Sequence, residues 1–239
     1  MKSFRESIIR KKMEPGTPVI TDFKCISPGE GRLLTQEEAV RRAAEIEAAG
    51  AAAISVVTEP VDFGGSLKLL SDIVERVSIP VLRKDFIRTR EEIDISIEHG
   101  ASAVLLMCSV MSREEMKDCY SYALERGIEP LVETHTAEEM LFAEELGATL
   151  MGINNRDILK LEKDGGTVST TLNMMSTGQL KNPDRVLISE SGILTVDDVR
   201  AAIGAGADAV LIGTAIWKAE DPIEYYKKLA SVSLDQVIG

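Results

Sequence analysis

The chain has 239 residues and carries 39 acidic against 27 basic side chains, a formal charge of −12. That length fits one (β/α)8 barrel, expected here as a single domain over residues 1–239 with residues 1–16 as an N-terminal extension. The charge argues against a nucleic acid or an anionic membrane as the main partner, so an anionic ligand must be drawn by a local basic cluster.

Cys25, Cys108 and Cys119 lack metal-type spacing and only two histidines occur, which points to a reducing cytoplasm and no structural zinc. The start is charged, and no apolar run is long enough to cross a bilayer, so a soluble cytoplasmic protein is expected.

In chain order, Ser3 to Lys12 places Phe4, Ile8 and Ile9 on one helical face before Pro15-Gly16 breaks the pattern, a short helix read as a lid or plug. Apolar strand-length runs then alternate with amphipathic segments, the pattern of parallel βα units. The expected strands are Pro18–Phe23, Ala53–Val57, Val81–Lys84, Ala103–Leu106, Glu129–Glu133, Leu150–Ile153, Val186–Ser189 and Ala209–Ile212. Eight of them match a closed barrel.

A repeat reinforces the count: Gly50-Ala51, Gly100-Ala101, Gly147-Ala148 and Gly206-Ala207 precede the even-numbered strands, where a left-handed helix cap must turn the chain back. An open doubly wound sheet is the competing fold, but no Gly-x-Gly-x-x-Gly follows the first strand. Between Arg156 and Leu180 a long polar loop precedes a weakly marked helix.

Charge collects at the exits of the odd-numbered strands, in Asp22-Phe23-Lys24, Lys84-Asp85-Phe86, Glu133-Thr134-His135 and Ser189-Glu190-Ser191. Strand alternation sends Lys84 to the face opposite Arg83 and Asp85. Side chains of alternate strands share a layer inside such a barrel, so Lys24, Lys84, Glu133 and Glu190 are expected to face one another at its mouth. The plainer readings are a solvated charge cluster at Lys84, and for Glu133 a surface carboxylate or a purely structural ion pair with Lys84.

Ser191-Gly192 and Gly213-Thr214 follow strands seven and eight, where backbone N–H groups commonly hold a phosphate; two ordinary tight turns are the alternative. Asn154 and Arg156 are either a turn cap and a local partner of Asp157, or a planar fork for a carboxylate. Phe63 either caps an aromatic substrate or packs on the rim, His135 reads as a polar loop residue and Cys108 as a small core hydrophobe.

Six strings, Phe23-Lys24-Cys25-Ile26-Ser27-Pro28, Val81–Ile87, Leu131-Val132-Glu133, Gly152 to Asp157, Ser189 to Ile193 and Leu211 to Thr214, together resemble the indole-3-glycerol-phosphate synthase family, from about residue 18 to about residue 218. The resemblance implies a carbon–carbon lyase of tryptophan biosynthesis that needs no metal or organic cofactor. It converts 1-(2-carboxyphenylamino)-1-deoxyribulose 5-phosphate to indole-3-glycerol phosphate, carbon dioxide and water.

It further implies Lys84 as general acid, Glu133 and Lys24 in later proton transfers, and Glu190 and Asn154 positioning the intermediate. Lys24, Ser191, Gly192, Gly213 and Thr214 would then take the phosphate, with Arg156 and Ser27 near the polar and carboxylate groups. Asp22 stands where the family has glutamate, Gly29 where it has serine, and Ser3–Lys12 is the one candidate for the family's extra helix over the barrel. The expected partner is a small phosphorylated substrate, and the expected state a monomer or weak homo-oligomer. Two alternatives remain open at this point: a divergent phosphate-sugar isomerase of the same pathway, or a non-catalytic relative that binds a phosphorylated metabolite.

Overall fold

Alternating apolar residues decide the architecture, because each strand must bury both of its faces. In a computed structural model, which describes residues 2–156, 167–176 and 182–233, eight parallel strands close into a barrel. They are β1 (Val19–Phe23), β2 (Ile54–Val57), β3 (Val81–Lys84), β4 (Ala103–Met107), β5 (Glu129–Thr134), β6 (Leu150–Asn154), β7 (Val186–Glu190) and β8 (Ala209–Ile212). Every strand lies within one residue of its expected bounds. Pairing of β1 with both β2 (Asp22 beside Ser55) and β8 (Thr21 beside Ile212) closes the ring and rules out the open doubly wound sheet.

Two apolar layers result. Val19, Val81, Val104, Val132, Leu187 and Val210 point outward and pack under the helices. Ile20, Leu82, Leu105, Leu131, Leu150, Ile188 and Leu211 fill the interior. Around the outside, capping boxes fix several helix starts: the Thr89 hydroxyl accepts from the Glu92 N–H while the Glu92 carboxylate accepts from the Thr89 N–H, and Thr136 and Glu139 repeat the arrangement. The four Gly-Ala pairs behave as their chemistry requires, with Gly50, Gly100, Gly147 and Gly206 at φ of 98°, 80°, 77° and 105°.

The leading helix α1 (Phe4–Lys12) lies across the barrel's N-terminal end. Ser7 donates to the Ala52 carbonyl before β2, the Arg5 N–H donates to Glu129 at the start of β5, and Lys12 pairs with Asp208 before β8. Phe4 and Ile8, both fully buried, close the interior from below. Of the two sequence readings it is therefore the plug; it does not form a helix over the mouth, because its apolar face is drawn to the apolar floor and the mouth is charged. Beyond β6, the helix Ser169–Ser176 stands where a weakly marked helix was expected, while the loop at residues 157–166 that precedes it lies outside the described residues.

Candidate active site

The site grows out of the interior layer by simple continuation. Two residues past inward-facing Ile20 comes Asp22, and two further Lys24; past Leu82 comes Lys84, past Leu131 Glu133, past Ile188 Glu190. Odd-numbered strands thus carry a charged layer directly above an apolar one. The Lys84 amine lies 3.2 Å from Glu190 and 3.8 Å from Glu133, and both carboxylates are fully buried. Its neighbours Arg83 and Asp85 face away from it and pair with each other at 3.0 Å. Asp22 accepts a 2.7 Å bond from Ser55, and Asn154 accepts from the Arg156 N–H at 2.9 Å, turning the chain at the end of β6.

Burying two carboxylates and one ammonium together favours the arrangement with the least net charge. Burial, and after it the nearby Glu133, push the Glu190 carboxyl well above its ordinary range, with Lys84 pulling the other way. The shift favours the protonated form of Glu190. No hydrogen bond from the described residues reaches either oxygen of Glu133, whereas Glu190 is met by the Lys84 amine at 3.2 Å. Buried acceptors in that condition are costly for folding and are commonly kept for function. Space for Glu190 depends on Gly152, since a Cβ there would lie 2.4 Å from a Glu190 oxygen.

Above this layer the mouth divides into two halves that share Asp22, Lys24 and Lys84. One is apolar, walled by Val57, Phe63, Phe86, Leu105 and Met107. The other is lined by Arg156, Ser191, Gly192, Gly213 and Thr214. Ser191 and Gly192 are both left-handed, at φ of 63° and 64°, which for Ser191 is a strained backbone of the sort kept where a loop meets its ligand. Glycine at this point lets the backbone approach a ligand closely. Phe63 sits in the apolar half, 5% exposed, and Arg156 in the other. Ser27 is buried in the short antiparallel pair of Ile26–Ser27 with Gly31–Arg32 and lines neither half.

Four supporting residues escaped the sequence reading. Glu59 accepts from the N–H groups of Val61, Asp62 and Phe63, shaping the loop that presents Phe63. Buried Arg83 donates to Thr58, Ser96, Asp85 and the Glu92 carbonyl, fastening the β3 exit to the helix after it. Asn155 donates to Ser189 and to the carbonyls of Glu190 and Ser191, and accepts from Thr171, tying the β6 exit to β7 and to the helix Ser169–Ser176. Phe86, half-buried, completes the apolar wall. The only local signal for Asn155 is the Asn154-Asn155 doublet.

A parallel barrel whose mouth joins a lysine–carboxylate cluster to an anion-accepting rim defines a (β/α)8-barrel enzyme acting on a phosphorylated small molecule. Residues 1–229 match the family model described as Indole-3-glycerol phosphate synthase. The chain belongs to that family. It is 42% identical over 218 residues to the indole-3-glycerol phosphate synthase of Pyrococcus furiosus, covering 91% of this chain and 93% of that protein. To the synthase of Exiguobacterium sibiricum it is 38% identical over 217 residues, 91% of this chain and 82% of that protein.

Among solved structures it is similar in fold to 3-hexulose-6-phosphate synthase from Salmonella typhimurium, with a TM-score of 0.73 and 19% identity over 92% of this chain and 100% of that one. The curated relatives support a synthase and neither the isomerase nor the non-catalytic binder. No helix among the described residues is long and apolar enough to cross a membrane.

Proposed function

We propose that this cavity closes the pyrrole ring of indole-3-glycerol phosphate from 1-(2-carboxyphenylamino)-1-deoxyribulose 5-phosphate, releasing carbon dioxide and water. The observation that carries the reading is the position of Lys84 between an apolar half walled by Phe63 and Phe86 and a rim suited to a phosphate, with its amine beside two buried carboxylates.

In this reading the phosphate rests on Ser191, Gly192, Gly213 and Thr214, drawn also by Lys24, while the anthranilate ring lies against Phe63 and Phe86. Lys84, as general acid, protonates the ketone oxygen as the ring carbon attacks. Loss of carbon dioxide restores the ring's aromaticity. Glu133 and Lys24 then serve the proton transfers that expel water, with Asp22 and Ser55 bonded beside them. Glu190 and Asn154 position the intermediate, and Arg156 neutralises the substrate's anionic groups from the rim.

The protein works in the cytoplasm on this small phosphoester, not on nucleic acid, as a monomer or weak homo-oligomer. Purified protein given the carboxyphenylamino-deoxyribulose phosphate should develop indole-type fluorescence, and should leave phosphoribosyl anthranilate unchanged. Binding of the first compound without turnover would overturn the proposal.

A further inference from the structure

One titratable side chain beside the buried cluster has no part in the proposed reaction. His135 stands two residues beyond Glu133, just past β5. Its Nε2 lies 3.7 Å from Glu133 Oε1, and its Nδ1 lies 3.8 Å from Glu139 Oε2. Neither ring nitrogen, and neither oxygen of Glu133, has a hydrogen-bond partner among the described residues. Glu139 is held in place, since its Oε2 accepts from the His135 N–H at 2.6 Å and the Thr136 N–H at 3.2 Å.

These groups form a line leading out of the barrel. The Glu133 side chain is fully buried, that of His135 15% exposed and that of Glu139 23% exposed. Glu139 in turn lines a pocket on the outer rim with Cys108, Arg113, Glu138 and Phe142. The charged groups facing the imidazole are Glu133 from β5 and Glu139 from the helix Ala137–Glu145. The Cys108 thiol and Arg113 share the outer pocket with Glu139. Arg113 is engaged elsewhere, paired with Glu138 at 3.0 Å and lying over the Phe142 ring.

We propose that His135 is a positioning residue that acts through Glu133, passing protons between that buried carboxylate and solvent by way of Glu139. The inference rests on Glu133 being a proton-transferring group, as read above. Such a group has to be reset every turnover, and substrate seated over the mouth would close the direct way out.

In the outward direction the Glu133 carboxyl gives its proton to Nε2, and the Nδ1 proton passes to Glu139 or to water in the outer pocket. One proton enters the ring and one leaves, and no electrons move. Each gap is longer than a hydrogen bond of about 2.9 Å by under about 1 Å, so a tilt of the ring completes the line.

The test is steady-state kinetics of His135→Asn and Glu139→Gln in buffers with and without imidazole. The second variant keeps an amide oxygen for the two backbone N–H groups. His135→Asn is expected to lose about tenfold in kcat at unchanged KM and to recover as imidazole is added, because a diffusible base replaces the missing relay. Glu139→Gln should lose less and respond to imidazole in the same way.

Unchanged kcat in His135→Asn, or a loss that imidazole does not relieve, would overturn the relay. Glu133→Gln separates the two layers of argument. Full activity there would sink the role given to Glu133, whereas an inactive Glu133→Gln beside a fully active His135→Asn would sink the relay alone.

Discussion

The two ends of the barrel are built on opposite principles. At the floor, Phe4 and Ile8 of α1 press onto interior apolar residues, and the carboxylate of Glu129 is satisfied by Ser3 and the Arg5 N–H. At the mouth, the odd-numbered strands carry Asp22, Lys84, Glu133 and Glu190, all buried, and the Glu133 oxygens lack hydrogen bonds among the described residues. One end gains free energy from burial and the other spends it on holding charges out of water. A stable floor is what permits an unstable mouth, and mutations at the two ends should separate stability from activity.

The largest effect is expected at the mouth. Lys84→Ala should lower kcat by about 10²–10⁴-fold, the range for removal of a positioned general acid, while circular dichroism still reports a folded barrel. An unchanged turnover would remove Lys84 from the chemistry. At the floor, Phe4→Ala should cost about 3–5 kcal/mol of stability, read as a lowered denaturant midpoint. At temperatures where the variant is folded its kcat/KM should match the parent, and a selective loss of activity would show the two ends to be coupled.

How much of this division could be read from the sequence follows from how local each signal is. The strands, the Gly-Ala caps and the inward parity of Lys84 rest on neighbours one to four residues apart, and they stand in the structure where alternation puts them. The convergence of Lys84, Glu133 and Glu190 needed only the rule that alternate strands share a layer.

What stayed hidden depends on contacts between remote segments. Arg83 was legible only as a residue on the face opposite Lys84, and its bonds to Thr58 and Ser96 join segments 25 and 13 residues away. Asn155 binds positions 34 to 36 residues away. The end of the barrel that α1 covers was likewise not written in its own nine residues, since an apolar helical stripe records that it will be buried and not against which face. The division of the mouth into an apolar and an anionic half also needed the folded loops.

The smallest effect sharpens the comparison through pH. Burial raises the folded-state pKa of Glu190 above its ordinary value, so the folded state holds this proton more tightly than the unfolded chain. The stability linked to that proton is fully present below the ordinary value of 4.5 and is lost as pH rises toward about 8. Glu190→Gln removes the titration, so its Tm relative to the parent should climb across that window. Equal slopes for the two proteins would place the proton elsewhere in the cluster.

Gly152 carries a consequence for how this enzyme can change over generations. Because a Cβ at that position would lie 2.4 Å from a Glu190 oxygen, a substitution there is accommodated only by moving the Glu190 carboxylate. Drift or directed evolution that sets out to reshape the substrate preference is thereby channelled toward Phe63, Phe86 and the other apolar wall residues, and away from β6. Part of the barrel's heritable freedom is fixed by an atom that is not there.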